Sequence, residues 1–252
     1  MLSEELTTVE ELTEAELKQG LSEMCFYKQP IYEVAGGDQD PKLMGYELLL
    51  RKTGGENRFP AMLFKDYMSS SLGNQIFCKW LVQSVAEIAK NNPDDEFGFN
   101  VDPQQLLYDN TYEELKALLP YRDQIMIEIT EGVPARRRFS KYYNYSLVEA
   151  IKQIHELGFS VAVDDVSSGM NSLNAVREYL QYVDRLKLSL IQFRSADPVI
   201  LKVTVDLWQT LSEKHELEMI VEGIDSQATS DKLINRGLTK HQGYLYSKPI
   251  EI

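Results

Sequence analysis

The chain has 252 residues, enough for one large α/β domain or two small ones. Hydrophobic residues make up 43% and charged residues 26%, the balance of an ordinary soluble globular protein that can bury a core unaided. A formal net charge of −13 argues against a nucleic-acid polymer or an anionic membrane surface as partner.

Cys25 and Cys78 are far apart and lack a metal-ligand spacing, so they read as packing residues. His155, His215 and His241 form no pair at helical spacing, which argues against a zinc hydrolase. With no apolar stretch long enough for a membrane and no secretory leader, the expected setting is cytoplasmic, without membrane insertion.

Residues 1–23 are acidic and helix-prone, with Leu12, Leu17 and Leu21 at helical spacing. They read as a lead-in helix ahead of a barrel domain over residues 24–252. Phe26 to Val34 and Leu43 to Leu50 read as strands separated by a turn at Gly36-Gly37-Asp38, and so short a connection predicts an antiparallel first strand pair.

Strand and helix then alternate. A helical stretch from Phe59 to Asn91, broken near Gly73, precedes a strand from Glu96 to Val101. Helix Tyr112–Leu119 precedes strand Ile125–Thr130, and helix Leu147–Leu157, stopped by Gly158, precedes strand Phe159–Asp164. Helix Asn174–Tyr179 leads to strand Val183–Leu188, and helix Pro198–Lys214 to strand Glu218–Val221. Helix Gln227–Arg236, stopped by Gly237, leads to a last strand near His241–Tyr246. This alternation predicts a parallel sheet with crossover helices. With the hairpin start, the expected fold class is α/β, a modified TIM-type (β/α)8 barrel.

The acids are placed too regularly for surface charge. Glu47, Asn100, Glu128, Asp164, Asp165 and Glu222 each stand at or near the end of an apolar run. In a parallel α/β barrel the reactive end is where strands give way to helices. Hard oxygen ligands in such number suit Mg²⁺ or Mn²⁺ better than Zn²⁺. The neighbours Asp164 and Asp165 can both reach one site only if their strand ends there. One could then bridge two ions about 3.5–4 Å apart, the arrangement used for phosphodiester hydrolysis. The alternative is a set of structural ion pairs at strand ends.

These residues carry a resemblance. Gln29-Pro-Ile31, Glu47-Leu-Leu-Leu-Arg51 and Phe99-Asn-Val-Asp-Pro-Gln-Gln-Leu106 are followed by Glu128-Ile-Thr-Glu131 and Asp164-Asp165. Val183-Asp-Arg-Leu-Lys187, Val221-Glu-Gly-Ile-Asp225 and Gln242-Gly-Tyr-Leu245 complete the series. In this order they resemble the EAL-domain family of cyclic di-GMP phosphodiesterases, from about Phe26 to Pro249. The resemblance implies hydrolysis of cyclic di-GMP to linear pGpG in second-messenger signalling, with two Mg²⁺ or Mn²⁺ ions. By the same resemblance, Glu47, Asn100, Glu128 and Asp164 would hold one ion, and Asp164, Asp165 and Glu222 the second. Lys187 and Glu222 would position or deprotonate the attacking water, and Gln242 would hold it or its ion. Arg51 would contact a phosphate, Gln29 and Asp225 guanine edges, and Glu131 would tie down the loop after Asp165.

Leu48 replaces the signature Ala, and Ser189 stands where the family usually has Asp. The loop Asp165-Val-Ser-Ser-Gly169 stands where the family typically has Asp-Phe-Gly-Thr-Gly, a segment associated with metal-site order and dimer contacts. These departures motivate an alternative, a catalytically inactive member that binds cyclic di-GMP or a protein partner. No sensory or output segment is evident, so regulation in trans or by oligomerisation, including a homodimer, is expected. Arg136-Arg-Arg138 and Lys141-Tyr-Tyr-Asn-Tyr145 mix basic and aromatic residues, but in so acidic a chain they read as a solvated loop or partner surface.

Overall fold

The computed structural model describes residues 12–37, 39–54, 57–134 and 147–252; the basic and aromatic stretch from Arg136 to Tyr145, and Asp38, lie outside the described residues. A short helix, α1 (Glu14–Gly20), leads in. Thr13 Oγ1 accepts from the Glu16 amide and the Glu16 carboxylate accepts from the Thr13 amide, so each satisfies a donor the helix start leaves open. Leu17 is buried, and its carbonyl accepts from the Tyr67 hydroxyl at 2.5 Å.

The first strand, β1 (Met24–Glu33), pairs antiparallel with β2 (Lys42–Lys52), Gln29 standing opposite Glu47. From there strand and helix alternate as the sequence predicts. Helices α2 (Ala61–Tyr67) and α3 (Ser71–Asn91) precede β3 (Phe97–Val101); α4 (Asp109–Leu115) precedes β4 (Ile125–Ile129). Then come α5 (Leu147–Glu156), β5 (Ser160–Val163), α6 (Leu173–Tyr179), β6 (Arg185–Ser189) and α7 (Pro198–Lys214). They are followed by β7 (Glu218–Glu222), α8 (Gln227–Ile234) and β8 (Lys240–His241). Strands β2 to β8 run parallel, each beside the next, and β1 closes the ring antiparallel to both β2 and β8. The result is a closed eight-stranded barrel of the modified TIM type. Among the described residues no helix is long and apolar enough to cross a membrane.

Local chemistry sets the element boundaries. Asp197 Oδ1 accepts from the Val199 amide at 2.7 Å and Pro198 takes the first helical position, so α7 begins where the sequence places it. The break between α2 and α3 falls just before Gly73, where a Cβ would lie 2.5 Å from the Tyr67 carbonyl oxygen; the tight corner needs glycine.

Most boundaries lie within two residues of the sequence expectation, and the larger departures have physical causes. Helix α4 begins at Asp109, three residues early, and gives way at Lys116 to a 3₁₀ segment through Tyr121 that contains Pro120. Strand β8 ends at His241 because the chain turns back at once: the Leu245 amide donates to the Ile224 carbonyl, and Tyr246 to Gly243. A two-residue strand, β9 (Ile250–Glu251), pairs antiparallel with Tyr27 and Lys28 of β1.

Side-chain alternation divides the barrel wall. Ile127, Ile129, Val161, Val163, Leu186, Leu188 and Val221 are fully buried and belong to the apolar core with Trp208 and Val176 of the helices. Several of the alternate positions carry charge, among them Glu128, Arg185, Lys187, Glu218 and Glu222. At the N-terminal strand ends, Glu218 pairs with Arg185 and Lys240, each at 2.5 Å. Burial pushes the Glu218 carboxyl up, but these two cations outweigh it and hold it below the usual range. At that end two cations more than meet the one carboxylate.

Candidate functional site

The other end is not balanced. Lys187, on β6, is fully buried and its ammonium meets Glu128 at 2.5 Å, Glu222 at 2.7 Å, Glu47 at 3.0 Å and Asp164 at 3.3 Å. Four carboxylates share one cation, where a self-sufficient structural network would match charge to charge. Two amides extend the cluster: Asn100 Nδ2 and Gln242 Nε2 both donate to Glu47 at 2.7 Å. Gln242 Nε2 also lies 3.4 Å from Gln29 Oε1, and Gln29 Nε2 donates to the Ser247 carbonyl at 3.0 Å.

Strand geometry explains the convergence. Asn100 and Glu128 are register partners on β3 and β4, and both face the barrel axis. Gly98 lies two residues before Asn100, opposite Glu47 in the sheet, and a Cβ there would stand 1.9 Å from Glu128 Oε1. Glycine clears the space for that carboxylate. Asp164 directly follows β5, and Asp165 follows it with φ of +46°, so the strand ends as the paired acids require.

The electrostatics follow from burial against charge. Burial pulls the Lys187 ammonium down, but Asp164, Glu128, Glu222 and Glu47 outweigh it and hold it well above the usual lysine value. Burial raises Glu47 too, yet Lys187 and the hydrogen bonds from Asn100 and Gln242 bring it below the usual range. For Asp164 burial and the neighbouring acids win over Lys187, so its carboxyl is well above normal. Burial, with Glu47 and Glu128 nearby, pushes Glu222 up to about 7 against the pull of Lys187. Burial and Glu131 raise Asp165.

These residues fit a divalent-metal centre. Asn100 Oδ1, Glu128 Oε1 and Gln242 Oε1 are buried oxygens with no hydrogen-bond donor among the described residues, and the buried Asp164 Oδ1 and Glu222 Oε1 face only the Lys187 ammonium that they share with Glu47 and Glu128. Orphaned buried acceptors are costly, and hard oxygens in this number are what Mg²⁺ or Mn²⁺ takes. Glu47, Glu128 and Asp164 each place an oxygen within 4.8 Å of the others, and so do Glu131, Asp164 and Asp165. Asp164 is common to both trios, as a residue bridging two ions must be.

Other expected residues stand further out. Arg51, at the end of β2, bonds Asn57 Oδ1 at 2.8 Å and the Leu50 carbonyl at 2.9 Å. Asp225 is exposed and faces Arg194 at 3.4 Å. The Glu131 carbonyl accepts from the Met170 amide, in the loop after Asp165, at 2.9 Å. The sequence analysis missed Asn171. Its buried Nδ2 donates to the Ile129 carbonyl at 2.9 Å and to the Asp164 carbonyl at 2.6 Å, pinning the ends of β4 and β5. No spacing marks it.

Comparison with known proteins agrees with this fold. The chain is 27% identical over 240 residues to the cyclic di-GMP phosphodiesterase RocR of Pseudomonas aeruginosa, an alignment covering 89% of this chain and 57% of that protein. It is 25% identical over 193 residues to the probable cyclic di-GMP phosphodiesterase PdeG of Escherichia coli K12, covering 73% of this chain and 35% of the relative. The chain thus spans from a third to just over half of the length of these relatives. Among solved structures, the calcium and cyclic di-GMP complex of Klebsiella pneumoniae BlrP1 superposes with a TM-score of 0.69 at 19% identity, covering 90% of this chain and 56% of that one. The EAL enzyme Bd1971 with cAMP and cyclic di-GMP gives 0.68 at 22% identity over 94% of this chain and 65% of that one; at such identities the likeness is one of fold. The EAL domain family model matches residues 10–249, which takes in every barrel strand from β1 to β8, and this chain belongs to the EAL-domain family.

Proposed function

We propose that the chain hydrolyses cyclic di-GMP to linear pGpG, with two Mg²⁺ or Mn²⁺ ions held at the C-terminal strand ends. The observation that carries this reading is the gathering of four buried carboxylates around a single ammonium, with Asn100 Oδ1, Glu128 Oε1 and Gln242 Oε1 left without a donor among the described residues. The names of the relatives support the substrate. Glu47, Asn100, Glu128 and Asp164 would hold one ion; Asp164, Asp165 and Glu222 would hold the other, with Glu131 beside them. Bound there, the ions would lower the pKa of water and offset charge on the phosphate oxygens. They would also let a chain of net charge −13 accept an anionic dinucleotide.

The chain's own groups divide the remaining work. Glu222, with its carboxyl pushed up to about 7 and one oxygen 2.7 Å from the Lys187 ammonium, is suited to take the proton from the attacking water, while the bond from phosphorus to the ribose 3′-oxygen breaks. Lys187 would orient that water, and Gln242, anchored on Glu47, would hold it or its ion. Arg51 offers a planar fork to a phosphate, Gln29 and Asp225 would meet guanine edges, and Glu131 would keep the loop after Asp165 in place. A bacterial, cytoplasmic setting and regulation through a homodimer or a protein partner belong to the same proposal; the bacterial sources of the relatives support the first of these.

Incubation with cyclic di-GMP, read by chromatography, tests the reading. We expect pGpG with Mg²⁺ or Mn²⁺ and none after chelation. Intact substrate from folded, metal-loaded protein would contradict hydrolysis and favour the silent receptor that the altered loop motivates.

A further inference from the structure

The loop that carries Asp164 and Asp165 contains a backbone conformation its sequence does not favour. Ser167 has φ of +83°, a region where glycine is at ease and a side chain is strained. Asp165 at +46° and Gly169 at +44° are residue types that tolerate left-handed backbone, so Ser167 is the residue out of place. It also occupies the position at which the family resemblance leads one to expect glycine.

Helix α7 supplies the counterweight. The indole N–H of Trp208 donates to Ser167 Oγ at 2.6 Å. Trp208 is fully buried, so this hydroxyl satisfies a donor that would be costly to leave unpaired. From Ser167 the connection reaches the acids in two further links. The Ser167 amide donates to the Asn171 carbonyl at 2.9 Å, and Asn171 Nδ2 donates to the Asp164 carbonyl at 2.6 Å.

We propose that Trp208 is a positioning residue for the metal centre: its indole N–H holds Ser167 in the left-handed conformation and so fixes the backbone that aims Asp164 and Asp165. The hydrogen bond from α7 replaces, in this chain, the conformational freedom glycine would supply. The inference rests on the metal-centre reading above for its consequence, though not for the clamp itself.

The test pairs Trp208→Phe, which removes the donor and keeps an aromatic ring in the core, with Ser167→Gly, which removes the strain. In metal-free protein, amide exchange at Ser167, Ser168, Met170 and Asn171 should speed up about tenfold in Trp208→Phe and return to the parent rate in Trp208→Phe/Ser167→Gly. The Mn²⁺ dissociation constant should rise roughly 10–100-fold in the single variant and recover in the double one, as for other groups that orient ligands. A merely structural tryptophan would not be rescued by glycine at residue 167. Should Trp208→Phe fail to fold, Ser167→Ala removes the acceptor alone and should show the same faster exchange. Unchanged exchange in the variants, or a change that glycine does not reverse, overturns the clamp. If the parent chain binds no Mn²⁺, the metal reading falls while the exchange rates still decide the clamp.

Discussion

Replacing Lys187 by Met should destabilise the metal-free protein by about 3–5 kcal/mol at neutral pH, the cost of removing one partner from a buried ionic cluster. Four carboxylates meet that ammonium, and without it the described structure offers them no other cation in the cluster. The pH dependence follows from the raised acids. Glu222, Asp164 and Glu128 bind protons more tightly folded than unfolded, so stability falls as pH rises from the ordinary carboxyl range through the value near 7 of Glu222. Losing Lys187 removes a cation that opposes those shifts, so the penalty should shrink as pH is lowered and the acids protonate. Mn²⁺ should restore part of the stability by taking the place of the missing charge. Chemical denaturation across pH, with and without Mn²⁺, measures all three effects. A loss below about 1 kcal/mol, the scale of an exposed pair, would mean that solvent reaches the cluster and the acids are not held dry.

Glu47→Gln should abolish measurable hydrolysis while leaving the fold in place. The carboxylate is buried on β2, accepts from Asn100 and Gln242, and stands within 4.8 Å of Glu128 and Asp164. Glutamine keeps the shape and one acceptor oxygen, so packing is preserved. What it removes is the negative charge, and charge stabilisation at such a centre is worth several kcal/mol of barrier, roughly a thousandfold in rate or more. A turnover assay at saturating Mg²⁺ or Mn²⁺, on protein whose unfolding transition is intact, checks this. A variant within tenfold of the parent would show that Glu47 is no ligand and that its partners serve the fold alone.

Much of this barrel is legible in the sequence because parallel strands are buried on both faces. Ile125–Ile127 and Val161–Val163 read as continuous apolar runs, and α7 is fixed by its Asp197 cap and Pro198. The acids are legible for the same reason, since each interrupts or ends such a run. What escapes the sequence is what depends on contact across the fold. Strand β9 has two residues and no period, and only its pairing with Tyr27 and Lys28 makes it a strand. Glycine 98 looks like a weak point in β3 until Glu128 is placed against it. Lys187 as the shared counter-charge, Asn171 as the pin between two strands and Trp208 as the grip on Ser167 each join residues far apart in the chain. The family pattern supplies roles for the acids, while the structure supplies the reason they need a cation.

A calorimetric Mn²⁺ titration in two buffers of different protonation enthalpy shows whether these acids form a divalent-metal centre. Because Glu222 is pushed up to about 7, and Asp164, Asp165 and Glu128 are raised as well, binding must displace protons. Binding should be saturable, release protons and tighten between about pH 6 and about pH 8, on either side of the Glu222 value. Folded protein that takes up no Mn²⁺ at either pH, or takes it up without releasing protons, would contradict the claim.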